Sequence, residues 1–234
     1  PKKVLLPLGN TTVLGLTVRQ VKKAKTIDRV IVATSIEGND NPIARHCEDL
    51  GVECFRGSLN DVLDRYYMAA KKIGADVIVR ITADCPLIDP DVIDLVVDEF
   101  KKEEKDYVSN GFMESTYPTG MDVEVASFDA LEEVWKEATL SSDREHVMTY
   151  FWTHPNRFRI REIKSPDIFS GIRVTLDEPE DYEVIKRVVE NVHPLSLGGI
   201  IGYLRKHPEV TALNARFVRN EGYSRSLVKS DISA

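Results

Sequence analysis

The sequence predicts one α/β domain built on a mainly parallel, mixed sheet, and three observations predict it. Short runs of β-branched and apolar residues recur through the first half of the chain, as buried parallel strands require. Between those runs lie segments whose apolar residues repeat at three and four positions, each with the start and stop chemistry of a helix. In the middle, two runs with closer alternation flank a turn signal, which adds an antiparallel excursion.

The first strand-like runs are RVIVATS (29–35), GVECFRG (51–57) and ADVIVRIT (75–82). Asn41-Pro42 reads as an N-cap and first-turn proline, followed by Ile43, Cys47 and Leu50 as an apolar stripe and Gly51 as the stop. Asp61 can cap a helix bearing Leu63, Tyr66, Tyr67 and Ala70 that ends at Gly74. Asp89-Pro90 opens a third helix, with Val92, Ile93, Val96, Val97 and Phe100 on its buried face. Strand, helix, strand in this rhythm implies right-handed crossovers.

DYVSNGF (106–112) and MDVEVAS (121–127) flank the turn Tyr117-Pro118-Thr119-Gly120 and form the antiparallel excursion, 106–127. Helices are expected to begin near Ser127 and Ser142, where Ser142 and Glu145 read as a capping box. RFRIREIK (157–164) reads as a strand, and GIRVTLD (171–177) as a buried strand that hands over through Glu178-Pro179 to a helix with Tyr182, Ile185, Val188 and Val189. From about residue 194 the tail reads as helical and ends in a polar stretch, 220–234. A single domain spans 1–234, with no repeat or linker.

Composition narrows the function. A net charge of −7 argues against a bulk nucleic-acid binder, which would carry a basic face. No apolar run approaches the roughly 20 residues a membrane-spanning helix needs, so a membrane protein is not expected. Cys47, Cys54 and Cys85 form no CxxC pair, and a reducing cytoplasm is the expected compartment.

In open α/β sheets the ligand sits beyond the carboxyl ends of the strands. Asp84 follows VIVRITA and Asp177 follows GIRVTL, which puts two carboxylates in that position. Mg²⁺ takes hard oxygen ligands and is held by one or two carboxylates plus substrate phosphates. Turn closure or helix capping explains such aspartates equally well taken singly. For Asp177 the capping explanation is weaker, because Pro179 makes Glu178 the natural cap. Arg80, inside a buried run, needs either a structural carboxylate or a ligand phosphate as partner.

The opening PKKVLLPLG resembles the end of the signature loop of the cytidylyltransferase family that includes the enzymes activating 3-deoxy-manno-octulosonate and acylneuraminate. The branch named for spore coat polysaccharide biosynthesis protein F is the most similar. VATS (32–35), FRGSLNDVLDRYY (55–67), VIVRITADCPLIDP (77–90), YPTGMDVEV (117–125), SDREHV (142–147) and VTLDEPEDY (174–182) continue the resemblance in order. The family's first strand and its arginine-bearing loop are expected ahead of Pro1.

The resemblance implies a Rossmann-like nucleotidyltransferase fold of the GT-A kind and a Mg²⁺-dependent transfer of CMP from CTP to a sugar or sugar acid. By it, Lys3 meets the triphosphate, Asp84 and Asp177 hold Mg²⁺, and Thr82 and Ala83 meet the nucleotide. Arg56, Ser58, Asn60 and Asp61 correspond to the loop reading the cytosine and ribose, with capping the rival role for Asp61. Asp122, Glu124, Arg144 and His146 fall on the acceptor side, and the 106–127 excursion on a homodimer contact. A sugar-1-phosphate nucleotidylyltransferase, a glycosyltransferase and a silent scaffold of the same fold remain the alternatives.

Overall fold

The computed structural model describes residues 3–111 and 114–219. A short hairpin, β1 (Pro7–Leu8) and β2 (Thr11–Thr12), leads into α1 (Val13–Val21). Then come β3 (Ile31–Ser35), α2 (Asn41–Asp49), β4 (Glu53–Gly57), α3 (Val62–Ile73), β5 (Val77–Arg80) and α4 (Pro90–Lys102). The second half holds β6 (Tyr107–Ser109), β7 (Glu124–Ser127), α5 (Phe128–Glu137), α6 (Ser141–His146), α7 (Thr149–Thr153), β8 (Ile160–Glu162), α8 (Pro179–Asn191), α9 (Leu197–Lys206) and α10 (Pro208–Thr211).

β3 and β4 pair in parallel, and a four-stranded sheet runs in the order β5, β7, β6, β8. Within it β7 is antiparallel to both neighbours while β6 and β8 are parallel, so the mixed sheet with one reversed strand matches the expected pattern. Alternate residues of this sheet enter different cores, the period-two consequence of the pleat. Val108 and Val125 join a core with α1, α4, α8 and α9. Tyr107 and Ala126, paired across the strands, join another with α3, α5 and α7. Helices therefore cover both faces.

Among the described residues, β3 pairs only with β4 and β5 only with β7, so each leaves one edge unpaired. Between the two sheets lies a cavity of about 600 Å³ lined by Val30, Val32, Val79 and Ile81 from the strands and Leu14 and Val18 from α1. The strand and arginine-bearing loop expected ahead of Pro1 lie outside the described residues, as does the polar stretch 220–234.

Helix caps follow local chemistry. Asp61 and Asp89 accept from the backbone N–H of Asp64 and Asp91 at 2.8 and 2.9 Å, as anticipated. Gly74 closes α3 in the left-handed conformation that glycine adopts without strain, φ 63°. Three expectations change. Asn41 lies inside α2 and Asp40 precedes it, with the Asp40 carboxylate turned to Thr34 and Ser35. The capping box at Ser142 does not form, because α6 starts one residue earlier and buries Ser142 in its first turn. The α1 helix, capped by Thr12 onto Gly15 N–H at 3.0 Å, falls in a stretch the periodicity left unassigned.

The expected strand over 171–177 is instead an extended segment with one bridge, Thr119 to Arg173. Its backbone donors are dispersed: Ile172 N–H goes to Phe169 O at 2.9 Å, Val174 N–H to Thr119 O at 2.7 Å, Leu176 N–H to Asp84 O at 2.9 Å and Asp177 N–H to the Asp181 carboxylate at 2.9 Å. No continuous ladder forms, yet the segment is fixed at both ends. Gly120 makes this approach possible. It sits at φ +100°, and a Cβ there would lie 2.6 to 2.9 Å from backbone atoms of Val174 and Thr175. Gly120→Ala is expected to cost about 2 kcal/mol or more, read as a lower urea midpoint at unchanged m-value.

Candidate active site

The segment 172–176 delivers Asp177, and the turn after β5 delivers Asp84. The Leu176 N–H bond to the Asp84 carbonyl, 2.9 Å, sets the two loops side by side. Lys3 arrives from a single 3₁₀ turn, Lys3–Leu5, whose Val4 and Leu5 pack against the core under β3 and β4. Its ammonium lies 2.8 Å from Asp84 Oδ2 and 2.8 Å from Asp177 Oδ1. Three residues separated by up to 174 positions thus converge on one point.

Electrostatics follows from that convergence. Burial opposes ionisation of Asp84, but the Lys3 ammonium outweighs it and holds the carboxyl below its ordinary range. Burial likewise opposes charge on Lys3, and the two carboxylates outweigh it and raise the ammonium's pKa. The other oxygen of Asp177 receives Arg173 at 2.7 Å. Arg173 is in turn held by Asp181, which is fully buried. Asp181 also accepts from the backbone N–H of Asp177 and Glu178, both at 2.9 Å, and so locks Asp177 to the start of α8.

A cavity of about 490 Å³ opens beside this cluster, lined by Asp84 and Asp177 on one side and by Asp122, Glu124, His146 and Trp152 on the other. Thr82 and Asp84 line it and also the inter-sheet cavity, so the two adjoin. Asp84, Asp177, Asp122, Glu124 and His146 meet only in the smaller one, which makes it the candidate site. Arg80 pairs with Glu124 directly across β5 and β7, so a structural carboxylate is its partner. Tyr107 Oη donates to the second oxygen of Glu124 at 2.7 Å, and Trp152 Nε1 donates to Tyr107 at 3.0 Å. Glu124 is thereby a buried, multiply bonded floor of the cavity and not the exposed strand face that alternation alone allows. Burial lowers the pKa of His146.

The remaining candidates lie elsewhere. Arg144 makes a two-pronged pair with Asp61, at 2.6 to 3.0 Å, and donates to Trp135 O at 2.7 Å. Both residues are engaged in joining α6 to the start of α3, and neither reaches the cavity. Arg56 donates to the Ser35 and Glu37 carbonyls at 2.9 and 3.0 Å, beyond the ends of β3 and β4. Ser58 accepts from Asp61 N–H at 3.3 Å, and Asn60 is exposed on the same loop. Ala83 lines the inter-sheet cavity, and its carbonyl accepts from Thr17 at 3.3 Å. Sequence reasoning missed Arg173, Asp181 and Arg219; the four-residue steps from Arg173 to Asp177 to Asp181 were a legible signal for the first two.

Asp84 and Asp177 offer hard oxygens whose charge the structure balances with a cation, which fits a divalent ion of the Mg²⁺ kind. No cluster of three or more protein ligands occurs among the described residues, so such an ion would complete its shell with phosphate oxygens and water. No helix among the described residues is long and apolar enough to cross a membrane.

The chain is similar to known proteins in sequence and fold. The cytidylyltransferase family profile matches residues 1–200. An uncharacterised protein of Methanocaldococcus jannaschii is 39% identical over 225 residues, covering 94% of this chain and 90% of that one. A spore coat polysaccharide biosynthesis protein of Bacillus subtilis is 30% identical over 223 residues, covering 89% and 90%. The solved structure of a cytidylyltransferase from Leptospira borgpetersenii superposes with a TM-score of 0.86 at 34% identity, covering 90% of each chain.

His146 generates a pH signature. Its folded pKa lies below the ordinary value of 6.5, so the unfolded chain binds this proton more readily. The stability it preserves is complete above about pH 6.5 and is lost as pH falls through the folded value, at up to about 1.4 kcal/mol per pH unit. Urea midpoints between pH 7.5 and 5 should fall less steeply for His146→Gln than for the parent chain.

Proposed function

The chain belongs to the cytidylyltransferase family, and from that premise we propose that it is a Mg²⁺-dependent enzyme transferring CMP from CTP to a sugar or sugar-acid acceptor in polysaccharide biosynthesis. The observation that carries the reading is the meeting of Lys3, Asp84 and Asp177 at one point, beside a cavity with room for an acceptor. The name of the Bacillus subtilis relative supports the polysaccharide setting.

In this reading an acceptor hydroxyl attacks the α-phosphorus of CTP in line, its proton passes to water, the new oxygen–phosphorus bond forms, and the bond to the β-phosphate oxygen breaks to release pyrophosphate. Asp84 and Asp177 would hold Mg²⁺, which supplies charge neutralisation and orientation of the phosphates. Lys3, already drawn to the anionic cluster, turns its ammonium to the charge that develops on the transferring group. The Arg173 guanidinium, donating to Asp177 at 2.7 Å and to Asp181 at 2.9 Å, keeps Asp177 in place. Glu124 and Arg80 give the acceptor half a rigid floor, and His146, kept neutral by burial, is placed to hydrogen-bond a hydroxyl.

Pyrophosphate release is the test, with each of the four nucleoside triphosphates, Mg²⁺, and 3-deoxy-manno-octulosonate or N-acetylneuraminate as acceptor. Release with CTP and acceptor together is expected; release with another triphosphate in preference, or with neither acceptor, counts against the reading. Asp84→Asn and Asp177→Asn should each lower kcat at least about 100-fold and weaken Mn²⁺ binding in the presence of CTP, while the circular dichroism stays that of the parent. Lys3→Ala should lower kcat by about the same factor with little change in Mn²⁺ binding.

A further inference from the structure

The last described segment, 214–219, returns to the site from the far side of the molecule. Asn214 is buried, and its side-chain amide donates to Arg173 O at 3.1 Å and to Asp181 Oδ1 at 2.8 Å. The segment is therefore anchored on the same carboxylate that fixes Asp177. A turn follows, closed by Phe217 N–H on Asn214 O at 3.2 Å. The Phe217 ring lies 4.8 Å from the Arg216 guanidinium and 5.8 Å from that of Arg173. Arg216 reaches Glu180 at 2.5 Å. These contacts turn Phe217 and Val218 into the cavity wall.

Arg219 completes the path. Its guanidinium donates to the Tyr117 carbonyl at 3.1 Å and pairs with Asp122. The second oxygen of Asp122 accepts from Gly120 N–H at 3.0 Å. Asp122 is thus held from two sides, by the turn 117–120 and by the returning segment, while still lining the cavity. A carboxylate has about four lone-pair sites, so two bonds leave acceptor capacity for hydroxyl groups. Burial raises the Asp122 pKa above its ordinary value, and Arg219 offsets only part of that rise.

We infer that residues 214–219 form a wall of the acceptor half of the site, in which Arg219 positions Asp122 to accept hydrogen bonds from a polyhydroxylated acceptor and Phe217 and Val218 meet its apolar C–H face. The inference rests on the reading of this cavity as the acceptor site. It makes Arg219 a positioning residue: it acts through Asp122 and leaves the phosphate cluster untouched.

Two measurements separate this inference from the activity. The chain has two tryptophans, and Trp135 stacks on Tyr67 in the core, 4.2 Å between ring centres, so Trp135→Phe leaves Trp152 as the single indole, inside the cavity. In that background Arg219→Ala should raise the acrylamide quenching of Trp152, and Phe217→Ala should do the same. Unchanged quenching in both overturns the wall whether or not any acceptor is found, and raised quenching without pyrophosphate release upholds it while counting against the proposed reaction. With whichever of the two sugar acids turns over, Arg219→Ala should raise acceptor KM about tenfold and leave CTP KM within about twofold, with Arg219→Lys recovering part of the loss. A parallel rise in both KM values, or no rise in either, overturns the positioning role.

Discussion

Two carboxylates at neighbouring loop ends repel one another, and the architecture around Asp84 and Asp177 is organised by the need to hold them together. A backbone bond between their loops, Leu176 N–H to Asp84 O, brings them close. Lys3 shares its charge between them, and Arg173 takes the oxygen of Asp177 that Lys3 does not. Each cation is bound to more than one anion, so charge is balanced across the cluster and not pair by pair. Such networks couple strongly, and removal of one member leaves its neighbours with uncompensated charge. An arrangement that keeps two anions adjacent before a substrate arrives is pre-organised for a polyanionic ligand bound through a cation.

The Glu124 side of the cavity is built on a different principle. There Glu124 and Arg80 are buried as a pair, and Tyr107 and Trp152 extend the pair into a hydrogen-bonded chain reaching the aromatic core. Tyr107 stacks on Phe151, 4.8 Å between ring centres, so this floor is tied to packing and cannot move without disturbing it. Rigidity on this side complements the exchangeable cations on the other.

Much of this was legible in the sequence because it depends on local chemistry. Asp61, Asp89 and Glu178 sit where caps belong, and helices start after them. Strand runs are legible because β-branched and apolar residues follow one another without interruption, as in the partly buried strands over 31–35 and 77–80. Tertiary competition hid the rest. The run 171–177 has a strand's composition, but the donors of Val174 and Leu176 go to Thr119 and Asp84, which no local pattern encodes. Arg144 reads as ligand-facing, and only the fold pairs it with Asp61 across 83 positions. Arg219 carries no motif, and its place becomes visible only when the segment it ends returns to Asp122.

The reversed strand has an evolutionary consequence. Because β7 runs against β5 and β6, its beginning lies at the rim where theirs end, and Asp122 and Glu124 enter the site from the start of a strand while Asp84 enters from the end of one. The turn leading into β7 is tied through Thr119 and Gly120 to the segment that delivers Asp177, so a change there reaches both sides of the cavity. A lineage that reshapes the Asp122 side must therefore keep those backbone contacts to keep Asp177 in place.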